Sequence, residues 1–202
     1  MKPKKAKKSI KTKKTDTATV DEIKNGRNKK ECKPSALKQA WDVTFSTLCI
    51  LLICAVLNTF VFANAYIPSE SMANTLVEGD RIFASRITYK IHNPERQDII
   101  LFYSDQVFET TEILIKRVIG LPGDNVKIID GDVYVNGELL NEDYAVKDNY
   151  TGEFTVPEDC YFVMGDNRDN SYDSRYWDNH FVNEDDIIGK AVFKYFKGFS
   201  VL

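Results

Sequence analysis

The sequence predicts a mainly β fold, an antiparallel sheet domain anchored by one N-terminal transmembrane helix, on three observations. An uncharged apolar run lies near the amino end, short stretches rich in Ile, Val, Phe and Tyr fill most of the remainder, and the pairs Asp130-Gly131 and Asn136-Gly137 offer tight turns between such stretches.

Residues 1–42 hold fourteen Lys or Arg against five Asp or Glu, a balance of +9, which leaves −12 for the rest of a chain whose net charge is −3. This tail is rich in Lys, Thr and Asn and poor in large apolar groups, so it cannot offset the entropy of ordering and is expected to be disordered. Attraction to anionic head groups and orientation of the neighbouring span account for its charge, and nucleic-acid binding is not needed. From Val43 to Ala63 there is no charged side chain and Asn58 is the most polar residue. At 1.5 Å rise per residue such a run crosses a hydrocarbon core, and residues 43–65 are assigned to a transmembrane helix. A cleavable secretory signal would begin near residue one, whereas about forty polar residues come first. Positive charge flanking a span stays on the cytoplasmic side, so residues 1–42 are expected inside and residues 66–202 outside.

In the outer domain, strands are expected at Arg81–Ser85, Asp98–Tyr103, Glu112–Ile119, Val126–Ile129, Val133–Val135, Tyr161–Met164 and Gly189–Phe196, all β-branched or aromatic-rich and bounded by turn residues. Asp130-Gly131 and Asn136-Gly137 can take positive φ at both positions, which marks two-residue hairpins. A curled antiparallel sheet or two packed sheets follows. Of the four cysteines, Cys32 lies in the tail, Cys49 and Cys54 in the span and Cys160 alone outside, so no disulfide can form within the outer domain. A domain of that size buries roughly two thirds of its unfolded surface and can hold by its core. His92, His180 and one outer cysteine fall short of a zinc ligand set, and no cofactor is implied.

Three segments carry candidate chemistry. Ser71 stands in Ile67-Pro68-Ser69-Glu70-Ser71-Met72, about eight residues past the apolar run, so at extended chain length it lies within roughly 29 Å of Ala63. A serine hydroxyl needs a base that is neutral at working pH, and a lysine qualifies only when burial or a nearby cation lowers its pKa from about 10.4. Lys116 fits: alternation in Glu112–Ile119 sets Leu114, Lys116 and Val118 on one face and Ile113, Ile115 and Ile119 on the other, with Arg117 adjacent. Taken alone, a lysine in a strand reads as a solvated edge residue. The third segment, Gly165 to Trp177, packs small polar and charged residues directly after a β run, as expected of a loop held by its own hydrogen bonds and ion pairs, or of a solvated one.

In this order the three segments resemble the bacterial type I signal peptidases, a Ser/Lys-dyad leader peptidase family, over roughly Val43 to Val192. The resemblance implies Ser71 as nucleophile, Lys116 as general base, and an oxyanion hole from the Ser69 hydroxyl with the Ser71 backbone N–H. It implies Ser171 as the hydroxyl orienting the lysine, Asp173 and Arg175 as a structural ion pair, and Asp166 and Arg168 in support. Pro68, Met72, Leu76, Leu114 and Ile115 match the family's shallow pocket walls. The implied substrates are exported preproteins with signal peptides cut after small residues (A-x-A). They would be bound as an added strand at the surface of the lipid bilayer of a bacterial cell membrane, with no obligatory protein partner. Two positions depart from the family pattern: Asn74 stands where a proline is common and Asp178 where a glycine is common. Glu70 puts a carboxylate beside the serines and is expected to face solvent. Three alternatives are a soluble Ser/Lys self-cleaving repressor, a Ser-His-Asp hydrolase using His92 or His180, and a specialised or inactive membrane-anchored β domain serving pilin or another narrow partner.

Overall fold

The computed structural model describes residues 35–104, 112–196 and 198–202. The expectation of a disordered tail, and Cys32, fall mostly outside these residues. The chain divides into two units, residues 1–47 and 48–202.

In the first unit the described residues form the start of helix α1 (Ala36–Val56), which the Ser35 hydroxyl caps by accepting from the Lys38 N–H at 3.3 Å. With a π-helical turn at Leu57–Val61 the helix reaches 26 residues, long and apolar enough to cross a membrane, and none of its residues is buried. The Thr44, Thr47 and Thr59 hydroxyls each donate at 2.8 Å to the carbonyl four residues back, so their polarity is satisfied inside the helix.

In the second unit the helix gives way earlier than residue 65. Phe62–Tyr66 is strand β1, paired antiparallel with β2 (Arg81–Ser85) from Phe62↔Ser85 to Tyr66↔Arg81. Its residues are as apolar as the helix they follow, and pairing to β2 decides their conformation. After a helical turn α2 (Thr88–Ile91) come β3 (Ile99–Tyr103), β4 (Ile113–Gly120), β5 (Asn125–Ile129) and β6 (Asp132–Val135). Then follow β7 (Glu138–Leu139), β8 (Gly152–Thr155), β9 (Cys160–Met164), β10 (Val182–Asn183), β11 (Ile187–Lys194) and β12 (Ser200–Val201). All seven expected strands are present within two residues of their predicted ends. The strands not foreseen are β1 and the short or polar β7, β8, β10 and β12.

The strands form two antiparallel sheets. The larger runs β1-β2-β11-β3-β4-β9-β10, with β12 added to β11, and the smaller runs β7-β6-β5-β8. Both expected hairpins occur, with Asp130, Gly131, Asn136 and Gly137 all at positive φ. Alternation splits β3 between two cores. Ile99 and Leu101 join Ile67, Met72, Leu76 and Ile115 on one side, and Ile100 and Phe102 join Val118, Val163 and Trp177 on the other. A third core, with Ile119, Val126, Ile128, Phe162 and Met164, joins the smaller sheet to the larger.

One detail of register positions the site. Strand β9 pairs with β4 only from Arg117 to Gly120, while β3 covers β4 from Ile113 to Arg117. Residues 113–116 therefore present an edge on the side where β9 has ended.

Candidate active site

Ser71 lies in a turn packed onto the sheet by Ile67 and Met72, both buried. The Asn167 N–H donates to the Ser71 carbonyl at 3.1 Å and the Asn167 side-chain amide to the Glu70 carbonyl at 3.2 Å, which ties this turn to the loop after β9. Lys116, opposite Ile100 in the sheet, places Nζ 2.8 Å from the Ser71 hydroxyl oxygen, and the Ser69 hydroxyl stands 3.3 Å from the same atom. Lys116 is only 4% exposed. Burial lowers its pKa from 10.5 to about 8, while Asp173 and Asp166 pull upward and Arg175 pulls downward.

The loop from Gly165 holds this pair through three buried ion pairs. Asp173 binds Arg175 twice, at 2.8 and 2.9 Å, and accepts the Gly165 N–H at 2.9 Å; Arg175 also meets Asp148. Asp166 takes Arg117 at 2.8 and 2.6 Å and the Thr75 hydroxyl at 2.5 Å. Arg168 pairs with Glu142 and donates to the Gly165 carbonyl at 2.9 Å. The segment is thus held both by bonds of its own, between Asp173, Arg175 and Gly165, and by ion pairs to Arg117, Glu142 and Asp148 outside it, and is not a solvated loop. Arg117, expected as a cation adjacent to Lys116, points the other way and lies 3.9 Å from the centre of the Tyr144 ring, and Arg175 is the cation that acts on the lysine. Glu142, Asp148 and Tyr144 carry no local sequence signal that marks them as partners of this loop.

Gly165 has a steric reason. A Cβ there would lie 2.3 Å from the Ser171 hydroxyl and 2.4 Å from the Ser71 carbonyl oxygen, so only glycine lets the two serine segments close on each other.

Other expected residues separate. Pro68, Met72, Leu114 and Ile115 line a depression beside Ser71 and Lys116, together with Ile67 and Ile113. Leu76, expected in that wall, is instead fully buried in the core beneath it. A second, open depression that also borders Ser71 and Lys116 is bounded by Leu114, Ser171, Tyr172 and Tyr176. Ser171 Oγ is buried there without a hydrogen bond, so it is not bonded to the Lys116 amine. Glu70 is exposed. His180 hydrogen-bonds the Ser174 carbonyl at 2.7 Å and His92 follows α2; neither borders either depression.

The two departures have different consequences. Asp178 is exposed and outside the left-handed region, so no glycine is required there. Asn74 has φ 87° and its side-chain amide donates to the Tyr144 carbonyl at 3.3 Å, a backbone conformation closed to proline. Among the described residues no group of three or more His, Cys, Asp or Glu is arranged to hold a metal.

The model of a family described as "Signal peptidase, peptidase S26" matches residues 40–196. A "Probable signal peptidase I-2" of Synechocystis is 39% identical over 183 residues, 88% of this chain and 82% of its own length. A "Signal peptidase I" of Bacillus caldolyticus is 36% identical over 174 residues, 77% of this chain and 91% of its own. The crystal structure of a signal peptidase I from Enterococcus faecalis is 39% identical and covers 49% of this chain and 97% of its own, with TM-score 0.41.

Proposed function

The chain belongs to the signal peptidase family, peptidase S26, and from that membership we propose that it is a membrane-bound serine endopeptidase that removes signal peptides from exported preproteins. It works with Ser71 as nucleophile and Lys116 as general base. One observation carries the reading: a hydroxyl 2.8 Å from the amine of a buried lysine whose pKa falls to about 8. At neutral pH roughly a tenth of such an amine is unprotonated, against less than a thousandth for an ordinary lysine.

Neutral Lys116 takes the Ser71 proton as Ser71 Oγ attacks the scissile carbonyl, and the ammonium then protonates the leaving amine. The developing oxyanion is met by the Ser71 backbone N–H and the Ser69 hydroxyl, which turns toward it from its place 3.3 Å from Ser71 Oγ. Ser171 Oγ, buried and unbonded, is free to accept an N–H of the lysine and orient it. Water activated by the same amine then releases the acyl group.

Substrate adds as a strand along the free edge of β4 at residues 113–116, opposite the Ser71 segment. The depression walled by Ile67, Pro68, Met72, Leu114 and Ile115 favours small side chains before the cut, in keeping with an A-x-A site. Residues 1–42 stay cytoplasmic, α1 spans the cell membrane and the β domain works outside, where exported chains emerge.

The test is cleavage of an A-x-A preprotein by the detergent-purified chain, wild type against Ser71→Ala and Lys116→Ala. Both variants should be folded and inactive. Cleavage by Lys116→Ala would place the base elsewhere, and an inert wild type would point to a narrow partner or a binding role.

A further inference from the structure

The π-helical turn that extends α1 shares a further pocket, away from Ser71 and Lys116, with the loop after β2. It is lined by Thr59 and Phe60 of the helix, Arg86, Tyr89 and Lys90 around α2, Tyr103 at the end of β3, and Ile187 and Ile188 of β11. Arg86 is fixed there because its backbone N–H donates to the Val61 carbonyl at 2.8 Å, the last residue of the helical run. Its Nε is buried and makes no hydrogen bond, and neither Arg86 nor Lys90 has a carboxylate partner among the described residues. The nearby carboxylate, Asp98, is already used: it accepts the Tyr89 hydroxyl at 2.9 Å and the Glu95 N–H at 3.1 Å and pairs with Lys190 at 2.5 Å. Two cations without carboxylate partners therefore flank an apolar wall that includes Phe60 and Ile187.

We propose that this pocket binds the phosphodiester headgroup of a membrane glycerophospholipid, with Arg86 and Lys90 holding the phosphate and Phe60 and Ile187 receiving the glycerol and the first acyl carbons. The inference rests on the reading that α1 spans the bilayer. A span ending at Val61 brings Thr59 and Phe60 to headgroup depth, where a phosphate is the anion at hand. A soluble anion would satisfy the cations and leave the apolar wall uncovered. The site would fasten the start of the β domain to the bilayer surface, which fixes the height at which Ser71 meets a membrane-held substrate.

The experiment follows thermal unfolding of the full chain, purified in an uncharged maltoside detergent, during titration with dihexanoyl phosphatidylglycerol. Dihexanoylglycerol, glycerol 3-phosphate and inorganic phosphate serve as separate controls. The wild type and Ser71→Ala should show the same saturable rise in Tm with the phospholipid and little with any control. Arg86→Gln and Lys90→Gln should each raise the half-saturating lipid concentration about fivefold, and the double variant further than either, while unfolding without lipid as the wild type does. An unchanged midpoint in the double variant overturns the proposal. So does stabilisation by phosphate alone as strong as by the lipid, which would make this a soluble-anion site. Carbonate extraction of membranes containing the chain separates the premise from the inference. Release of the chain defeats the span itself, whereas retention with no lipid response in the wild type defeats only the lipid site.

Discussion

Gly165→Ala is a small change with a large expected effect, because of what its methyl group would meet. The new Cβ would sit 2.4 Å from the Ser71 carbonyl oxygen, 2.3 Å from Ser171 Oγ and 2.6 Å from Ser171 Cβ, where ordinary contact begins near 3.4 Å. Each neighbour must therefore retreat by about 1 Å. Ser171 gives up no hydroxyl hydrogen bond by moving, since its hydroxyl makes none. The Ser71 carbonyl belongs to the backbone of the proposed nucleophile and is held by the Asn167 N–H at 3.1 Å, so its retreat carries Ser71 Oγ away from Lys116. Overpacking of this kind costs about 1–3 kcal/mol of stability, and misplacing reacting groups by 1 Å costs on the order of a hundredfold in rate. The assay is kcat/KM on an A-x-A peptide together with urea unfolding of the same preparation. Adding Ser171→Gly to Gly165→Ala removes two of the three clashes, so the double variant should recover stability without recovering rate. A Gly165→Ala enzyme with wild-type kcat/KM, or full recovery of rate in the double variant, would refute the reasoning.

Four further outcomes are expected. Because the proposed base must be neutral to act and the Lys116 pKa lies near 8, kcat/KM should fall about tenfold per pH unit below that value and level off above it; a rate flat from pH 5 to 10 would remove lysine as the base. A lysine whose folded pKa is depressed disfavours folding while it is charged, so stability should rise with pH between about 8 and 10.5, and Lys116→Met should raise Tm while abolishing cleavage. Arg175→Gln releases Asp173, whose carboxylate then favours the Lys116 ammonium, so the pH–rate curve should move to higher pH even where Tm falls; an unmoved curve would refute the assigned role of Arg175. Asn74→Gly should change urea stability by a few tenths of a kcal/mol, whereas Asn74→Pro should cost about 3 kcal/mol or more, since a ring fixing φ near −65° cannot follow a backbone at φ 87°.

The parts of this molecule that sequence conveyed are those written in short, local signals. The Asp130-Gly131 and Asn136-Gly137 turns, the β-branched runs and the charged segment after Met164 each announce themselves within a few residues, and so do Ser71 and Lys116 once their order along the chain is set beside a known family. What sequence withheld is partnership. Arg117 and Asp166 meet across 49 positions, Arg168 and Glu142 across 26, and Arg175 and Asp148 across 27, and no periodicity links such residues. Leu76 shows the same gap for apolar groups, because its hydrophobicity suits a pocket wall or a core equally and only packing assigns it to the core. Strand β1 was hidden because Phe-Ala-Asn-Ala-Tyr continues an apolar run, and the helix stops where pairing with β2 begins.

Those long-range partnerships explain how the Lys116 amine comes to have the lowered pKa that its proposed role as base requires. A buried ammonium close to Asp166 and Asp173 would ordinarily form an ion pair and keep its proton. Here each carboxylate is already engaged: Asp166 by Arg117 and the Thr75 hydroxyl, Asp173 by Arg175 and the Gly165 N–H. The two aspartates still raise the proton affinity of Lys116, but Arg175 opposes them and burial outweighs both. Buried ion pairs contribute little net stability compared with apolar packing. Their effect here is to use up the carboxylates within reach, which leaves burial to set the protonation of the amine that faces Ser71.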